Sequence, residues 1–321
     1  MFRIRDLEIS GNKILSPMAG FSDSPTRRMA RKFGSAISYT EFVAAHEILH
    51  KKPEAWRNFE FHESERPISF QIFGNDPKEI LESAKLVMQK EPDILDINMG
   101  CSTAKVSGRG SGAGLLKNLS CAGNIFQLLR KEFPSQILTA KIRLGWDDFS
   151  LNYLDTIRVL EDSKVDAIAI HGRTKEMGYS GQARWEHIAE AKRQAGVPIF
   201  GNGDIDSNAL ANERLQNSKV NAVLIGRKAI GNPWIFQDGI DVNQISWSER
   251  LQVLLEHLEL MVSFYGEAFG LRLFRKHFLK YLGGFDMCDD DKLFFMETTS
   301  LKSLVSRILH FSPMLKLHVA G

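Results

Sequence analysis

An α/β fold closed as a TIM (β/α)8 barrel and followed by a small C-terminal helical bundle is what this chain predicts, on three observations. Eight short apolar runs rich in β-branched residues recur over about 230 residues, the size and strand number of such a barrel. Helical-looking segments separate the runs, and a crossover helix returns each strand parallel to the one before. Nearly every run ends in a residue that can do chemistry, and in a barrel the C-terminal strand ends converge on one face. A doubly wound open sheet is the second choice, disfavoured by the strand count and by where the polar residues fall.

The runs are Lys13–Pro17, Ala36–Glu41, Pro67–Phe73, Asp93–Asn98, Ile137–Ile142, Val165–His171, Val197–Asn202 and Val220–Gly226. Between them, Pro77–Lys90 and Ala183–Gln194 carry apolar residues at helical spacing. The strand ends bring Pro17 and Met18, Glu41, Gln71, Asn98, Lys141 and Arg143, His171, Asn202 and Asp204, and Gly226 and Arg227 to one rim. After Trp234 the period changes. Trp247–Phe264, Phe269–Leu282, Lys292–Phe295 and Leu301–Leu309 repeat apolar residues every three or four positions, with no strand-like runs. The expected division is a barrel over residues 1–240 and a helical domain over 241–321, joined through Ile235–Ile245.

Composition narrows the class. With 321 residues, 43% hydrophobic and 25% charged, the chain can bury a sizeable core, which excludes a disordered, collagen-like or coiled-coil protein. No run approaches the length of a membrane span, and the first six residues lack the apolar core of a leader, so the expected compartment is the cytoplasm. Cys101, Cys121 and Cys288 are too widely and unevenly spaced for a disulfide framework or a zinc site, and no metal is expected. A net charge of +2, from 41 basic and 39 acidic residues, means that any RNA partner is held by a local patch. Arg272, Lys276 and Lys280 supply a candidate: four-residue steps place them on one helix face, with Arg275 and His277 nearby. Such a face either neutralises phosphates or is simply solvated. A monomer is the expected state.

The glycine turns after the last two runs, Gly201-Asn202-Gly203-Asp204 and Gly226-Arg227, lie where barrels often bind phosphate through backbone N–H groups. They also suit tight βα connections, which need glycine for its backbone angles. Lys141 alternates with apolar neighbours at the end of the fifth run, and a lysine turned into a barrel mouth calls for an anion. His171 and Arg173 close the sixth run in the same way. Asp96-Ile97-Asn98-Met99-Gly100-Cys101 opens a segment with glycine at every second position from Gly108 to Gly114, expected to form a mobile lid. Cys101 at its base is either a small buried hydrophobe or a thiol able to give up a proton.

Taken in order, Ser16-Pro17-Met18-Ala19-Gly20, Asp96–Cys101, Lys141-Ile142-Arg143-Leu144-Gly145-Trp146, His171-Gly172-Arg173-Thr174, Gly201-Asn202-Gly203-Asp204-Ile205 and Gly226-Arg227 with Gly231-Asn232-Pro233-Trp234 resemble the tRNA-dihydrouridine synthases, most of all their bacterial B-type branch. The resemblance runs from about residue 12 to residue 285 and includes Phe264-Tyr265-Gly266 and Arg275-Lys276-His277. It implies an FMN-binding barrel, a tRNA-binding helical domain, and reduction of the C5=C6 bond of a tRNA uridine with NADPH as reductant. It further implies that Pro17, Met18 and Ala19 line the flavin ring, and that Gln71 and Lys141 bond to its polar edge. Lys141 then favours the anionic reduced ring. His171 lies beside the ring, while Asn202, Gly203, Asp204, Gly226 and Arg227 hold the ribityl-phosphate tail. Asn98 and Arg173 contact the target base or its backbone, hydride goes to C6, and Cys101 protonates C5. The uracil leaves its stack to be reached. Ser102 stands where the family usually has proline, which frees the backbone beside Cys101. A flavin oxidoreductase acting on a free pyrimidine-like molecule and an inactive RNA-binding relative are the alternatives.

Overall fold

The computed structural model describes residues 1–282, 285–311 and 314–315. Its contacts divide the chain into two compact units, residues 1–226 and 227–321. The boundary thus falls before the expected 240, because the turns at Arg227–Ala229 and Pro233–Phe236 group with the C-terminal unit.

In the first unit eight parallel strands form a nearly closed barrel: β1 (Lys13–Leu15), β2 (Ser38–Tyr39), β3 (Ile68–Phe73), β4 (Ile94–Met99), β5 (Ile137–Arg143), β6 (Ala167–His171), β7 (Ile199–Asn202) and β8 (Ala222–Ile225). Each strand from β2 to β8 pairs with the next, and β8 returns to β1. Between β1 and β2 the Ala36 N–H donates to the Lys13 carbonyl at 2.8 Å. The second run is shorter than expected, since the chain leaves β2 after Tyr39 and pairs with β3 again only at Val43–Ala44. Helices lie between the strands and start where short polar side chains can satisfy their first N–H groups. Asp23 caps Ser24–Lys32, Asp76 caps Pro77–Val87, and Ser207 caps Asn208–Ser218.

Alternation along each strand sorts the barrel interior into two levels. Ile14, Ile37, Ile94, Ile137, Ala167, Phe200 and Ala222 belong to a buried apolar cluster in its lower part. An antiparallel hairpin absent from the sequence reading, Phe2–Ile4 with Leu7–Ile9, contributes fully buried Ile4 and Ile9 to that cluster and so closes the N-terminal end. Two or four residues further along β4 to β7, the inward residues turn polar: Asp96 and Asn98, Thr139 and Lys141, His171, and Asn202, joined by Ser69 and Gln71 of β3. The barrel is dry below and polar above, which confines its chemistry to the C-terminal mouth.

The second unit is helical, as expected. Trp247–Tyr265 turns at Gly266, whose φ is +79°, into Glu267–Tyr281; Asp289–Glu297 and Leu301–His310 follow. Val253, Leu254, Leu258 and Met261 on the first helix and Leu271, Phe274, Phe278 and Tyr281 on the second are buried. A Cβ on Gly270 would stand 2.7 Å from the Met261 carbonyl oxygen, so glycine allows this close approach. A two-residue ladder between Phe285–Asp286 and Met314–Leu315 is the one β feature described here, where none was expected. Among the described residues no helix is long and apolar enough to cross a membrane.

Candidate active site

The parallel register assembles the mouth. Gln71 pairs with Asp96 and Asp96 with Thr139; Asn98 pairs with Lys141; Arg143 pairs with His171 and His171 with Asn202. Cross-strand neighbours therefore become hydrogen-bonded neighbours. The Asp96 carboxylate accepts from Gln71 Nε2 at 2.7 Å and from Thr139 Oγ1 at 2.5 Å. Gln71 Oε1 accepts from Asn98 Nδ2 at 2.9 Å. Asn98 Oδ1 takes the backbone N–H groups of Gly100 and Cys101 at 3.1 and 2.9 Å, bending the chain just beyond β4. At that bend the half-buried Cys101 places Sγ 3.3 Å from the Thr103 hydroxyl.

Burial sets the charges. Desolvation lifts the Asp96 carboxyl to about 6, against the pull of Thr139, Gln71 and Lys141. The Lys141 ammonium is lowered to about 8, first by burial and next by repulsion from Arg143, while Asp96 and Cys101 act the other way. Its hydrogen-bond partner is the neutral Asn202 Oδ1 at 3.2 Å, which leaves two of its three donor hydrogens for a ligand. Burial likewise lowers Arg143 to about 10. That guanidinium ties the mouth together, donating to the carbonyls of Gly100 at 2.8 Å, Thr174 at 2.8 Å and Gly178 at 3.0 Å. Its Nη2 also reaches the Ser102 hydroxyl at 3.5 Å, a contact that a proline could not make.

The structure brings Asn98, Cys101, Lys141, His171 and Asn202 to the mouth, and places Pro17 and Met18, half-buried, with Ala19, exposed, just beyond β1. Gln71 sits lower. It has no exposed surface, and both ends of its amide are held by Asp96 and Asn98, so it reaches a ligand through Asn98. Arg173 differs from the expectation of an open contact. It is 2% exposed and donates to Ser180 and Gly181 carbonyls, to both oxygens of Asp204 and to His171 Nε2. A guanidinium only donates, so Nε2 is the acceptor and the ring proton sits on Nδ1. The Asp204 carboxylate also takes the Ala183 N–H at 2.7 Å, and a carboxylate repels phosphate; what Asp204 can offer a phosphate is its backbone.

In the helical unit, Arg272 and Lys280 are exposed and Lys276 is half-buried on one face. Arg275 turns instead to the Thr298 carbonyl at 3.3 Å, and His277 is fully buried, pushed down to about 3 by desolvation and by Lys276.

The glycines separate by cause. A Cβ at Gly201 would stand 2.5 Å from the Trp185 ring, and one at Gly203, where φ is +136°, 2.4 Å from Ala183; packing requires both. At Gly226 a Cβ would meet only Met18 Sδ at 3.5 Å and Ser16 Cβ at 3.9 Å, ordinary contact distances. No internal packing explains that glycine, whereas a ligand lying against it would. The mobile lid is corrected. Residues 104–107 form a helical turn, Gly112–Lys117 form a 3-10 helix, and Gly112 through Leu116 are buried. Its glycines serve close packing: a Cβ on Gly114 would lie 2.6 Å from the Ser107 carbonyl oxygen.

Sequence reasoning put Arg143 at the rim without naming its partners and gave no role to Asp96 or Thr139. Two-residue spacing is the signal that finds them: Ile94, Asp96 and Asn98 share one face, as do Thr139, Lys141 and Arg143. It also passed over a cleft of about 450 Å³ lined by Asn75, Lys117, Cys121 and Trp146, where the Lys117 and Lys175 ammonium groups lie 3.6 and 4.3 Å from the Trp146 ring.

Fold and site together define an enzyme of the TIM-barrel class, with a cationic and amide-rich mouth beside a reachable thiol. Solved structures share the fold. Histamine dehydrogenase from Rhizobium sp. 4-9 matches with a TM-score of 0.60 at 9% identity, over 81% of this chain and 50% of that one. A 2-naphthoyl-CoA reductase complex matches at 0.56 and 12%, over 73% and 50%. The family model described as dihydrouridine synthase (Dus) matches residues 14–307. The tRNA-dihydrouridine synthase B of Pseudomonas aeruginosa is 34% identical over 287 residues, 87% of this chain and 86% of that protein. Its Vibrio cholerae counterpart is 34% identical over 288 residues (87% and 89%), and a probable tRNA-dihydrouridine synthase of Rickettsia conorii 33% over 292 (88% of each). The chain belongs to the dihydrouridine synthase family, within its bacterial B-type branch.

Proposed function

We propose that this chain reduces the C5=C6 bond of a uridine in tRNA to 5,6-dihydrouridine, with FMN bound at the barrel mouth, NADPH as reductant and the cytoplasm as its compartment. Family membership supports the reaction. The observation that carries the site is that the half-buried Cys101 lies within electrostatic reach of Lys141, an ammonium held at 8% exposure with donors to spare.

Two features fit a flavin: the unsatisfied donors of Lys141 and the space at Gly226. Lys141, Asn202 and His171, with Pro17, Met18 and Ala19, would hold its ring, and the backbone of Gly203, Asp204 and Gly226 its phosphate tail. Bound there, FMN supplies hydride for C6 of the uracil. Addition at C6 drives the double-bond electron pair toward C5 and the adjoining carbonyl oxygen. Cys101 Sγ gives its proton to C5, and the sulfur left negative lies in the field of Lys141 and Arg143, which lowers the barrier to that transfer. Solvent then returns the proton. Asn98 Nδ2, with one hydrogen on Gln71, keeps a second for a base carbonyl. The Arg272, Lys276 and Lys280 face of the helical unit is the proposed contact for tRNA phosphates.

The test is dihydrouridine formation by purified, yellow protein. Cys101→Ala is expected to keep its flavin and lose about a hundredfold or more in turnover; wild-type turnover removes Cys101 from the reaction. Glutamate at positions 272 and 280 is expected to weaken tRNA binding without slowing NADPH oxidation. Free uridine reduced as fast as tRNA would reassign the chain to small-molecule chemistry.

A further inference from the structure

The amide chain beneath Cys101 has a direction, and its ends dictate it. At the upper end the Gly100 and Cys101 N–H groups can only donate, so Asn98 must turn its oxygen to them and its nitrogen to Gln71. At the lower end the Asp96 carboxylate only accepts, so Gln71 must turn its nitrogen down and its oxygen up. The two requirements agree. Were Asn98 reversed, donors would face each other at the bend; were Gln71 reversed, donors would meet between the two amides and two acceptors at Asp96, and a buried unpaired polar group costs more than an ordinary hydrogen bond gains. Asp96 is fully buried, makes no hydrogen bond to the thiol or to Lys141, and is steadied from the side by Thr139, which stands outside the chain.

We propose that Asp96 is a positioning residue for Cys101: by accepting from Gln71 it fixes the orientation of both amides and so anchors the turn that presents the thiol. This inference rests on the proposed function only for its consequence in turnover; the anchoring is a property of the chain itself. It also decides which atom Asn98 shows to the mouth, an N–H suited to a carbonyl oxygen.

The experiment uses the flavin-loaded protein and near-isosteric changes. Hydrogen exchange at the Gly100 and Cys101 amides is read by mass spectrometry, and iodoacetamide labelling of Cys101 is followed on its own peptide. An asparagine at 96 can face Gln71 with either atom, so Asp96→Asn is expected to speed both readouts about tenfold, the worth of one lost hydrogen bond, and to lower kcat while leaving the KM for tRNA unchanged. Asn98→Ala, which removes the upper acceptor directly, is expected to speed exchange and labelling to the same degree, and the Asp96→Asn/Asn98→Ala pair no more than either alone, since one chain can be broken only once. Thr139→Val is expected to leave the exchange at residues 100 and 101 as it is. Unchanged exchange and labelling in Asp96→Asn, additive effects in the pair, or an equal effect of Thr139→Val would each overturn the proposal. Full turnover by Cys101→Ala would instead sink the proton-donor reading and leave the exchange result to stand.

Discussion

Replacing Lys141 by methionine is expected to make the flavin-free protein more stable and the enzyme inactive. Desolvation, with repulsion from Arg143, lowers the Lys141 pKa from 10.5 to about 8. One unit of displacement is about 1.4 kcal/mol, so keeping the ammonium charged at pH 7 costs the folded state about 3 kcal/mol. Methionine has nearly the same length and removes that cost, while it gives up the bond to Asn202, worth about 1 kcal/mol. The net gain at pH 7 is about 2 kcal/mol. The pH dependence identifies its source. Between pH 8 and 10.5 the unfolded chain still carries a proton that the folded lysine has lost, so wild-type stability rises across that window and is flat below it. The groups facing Lys141 are Arg143, Asp96, Cys101 and Asn202, and the difference between wild type and variant isolates the lysine. Asp96 acts in a separate range and with the opposite slope. Its pKa is raised from 3.8 to about 6, so the folded state holds a proton the unfolded chain has released, and stability falls as pH rises from about 4 to 6. Urea denaturation followed by tryptophan fluorescence from about pH 4 to 10.5 covers both windows. A wild-type midpoint that does not rise above pH 8, or a methionine variant that rises equally, would refute the reasoning.

Gly226→Ala is expected to fold with near-normal stability, since its Cβ meets only Met18 and Ser16 at contact distance, yet to bind FMN more weakly in a fluorescence titration. Gly201→Ala is expected to lose about 1–3 kcal/mol in thermal denaturation, the usual cost of overpacking, because its Cβ would overlap the Trp185 ring. Glu65→Ala is expected to destabilise the barrel by about 3–5 kcal/mol, since it leaves the fully buried Arg27, now paired at 2.6 Å, without its anion. A melting temperature within a degree or two of wild type would contradict this.

Which side chains stand at the mouth was largely legible in the sequence because a parallel barrel turns local pattern into place. An apolar run that ends in Asn98, Lys141 or His171 puts that residue at the rim whatever the rest of the molecule does, and the eight runs located the strands to within a few residues. Partnership was not legible. Arg173 and Asp204 are separated by 31 positions and find each other only through loops whose paths no periodicity records. Glycines 108 to 114 looked flexible because composition shows the freedom of the backbone and hides what packs against it.

The sequence by itself determined the alternation of strands and helices, the parallel order, the helical C-terminal unit and which polar side chains end the strands, since each follows from spacing along the chain. Only the tertiary structure decided which of those side chains touch: that Gln71 lies below the floor of the mouth, that Arg173 is held by a carboxylate, and that a buried Asp96 stands two amides away from the thiol. The reason is physical. Hydrogen bonds and desolvation act over a few ångströms in space, and the distance between two residues in space is set by register and closure, which no single stretch of the chain contains.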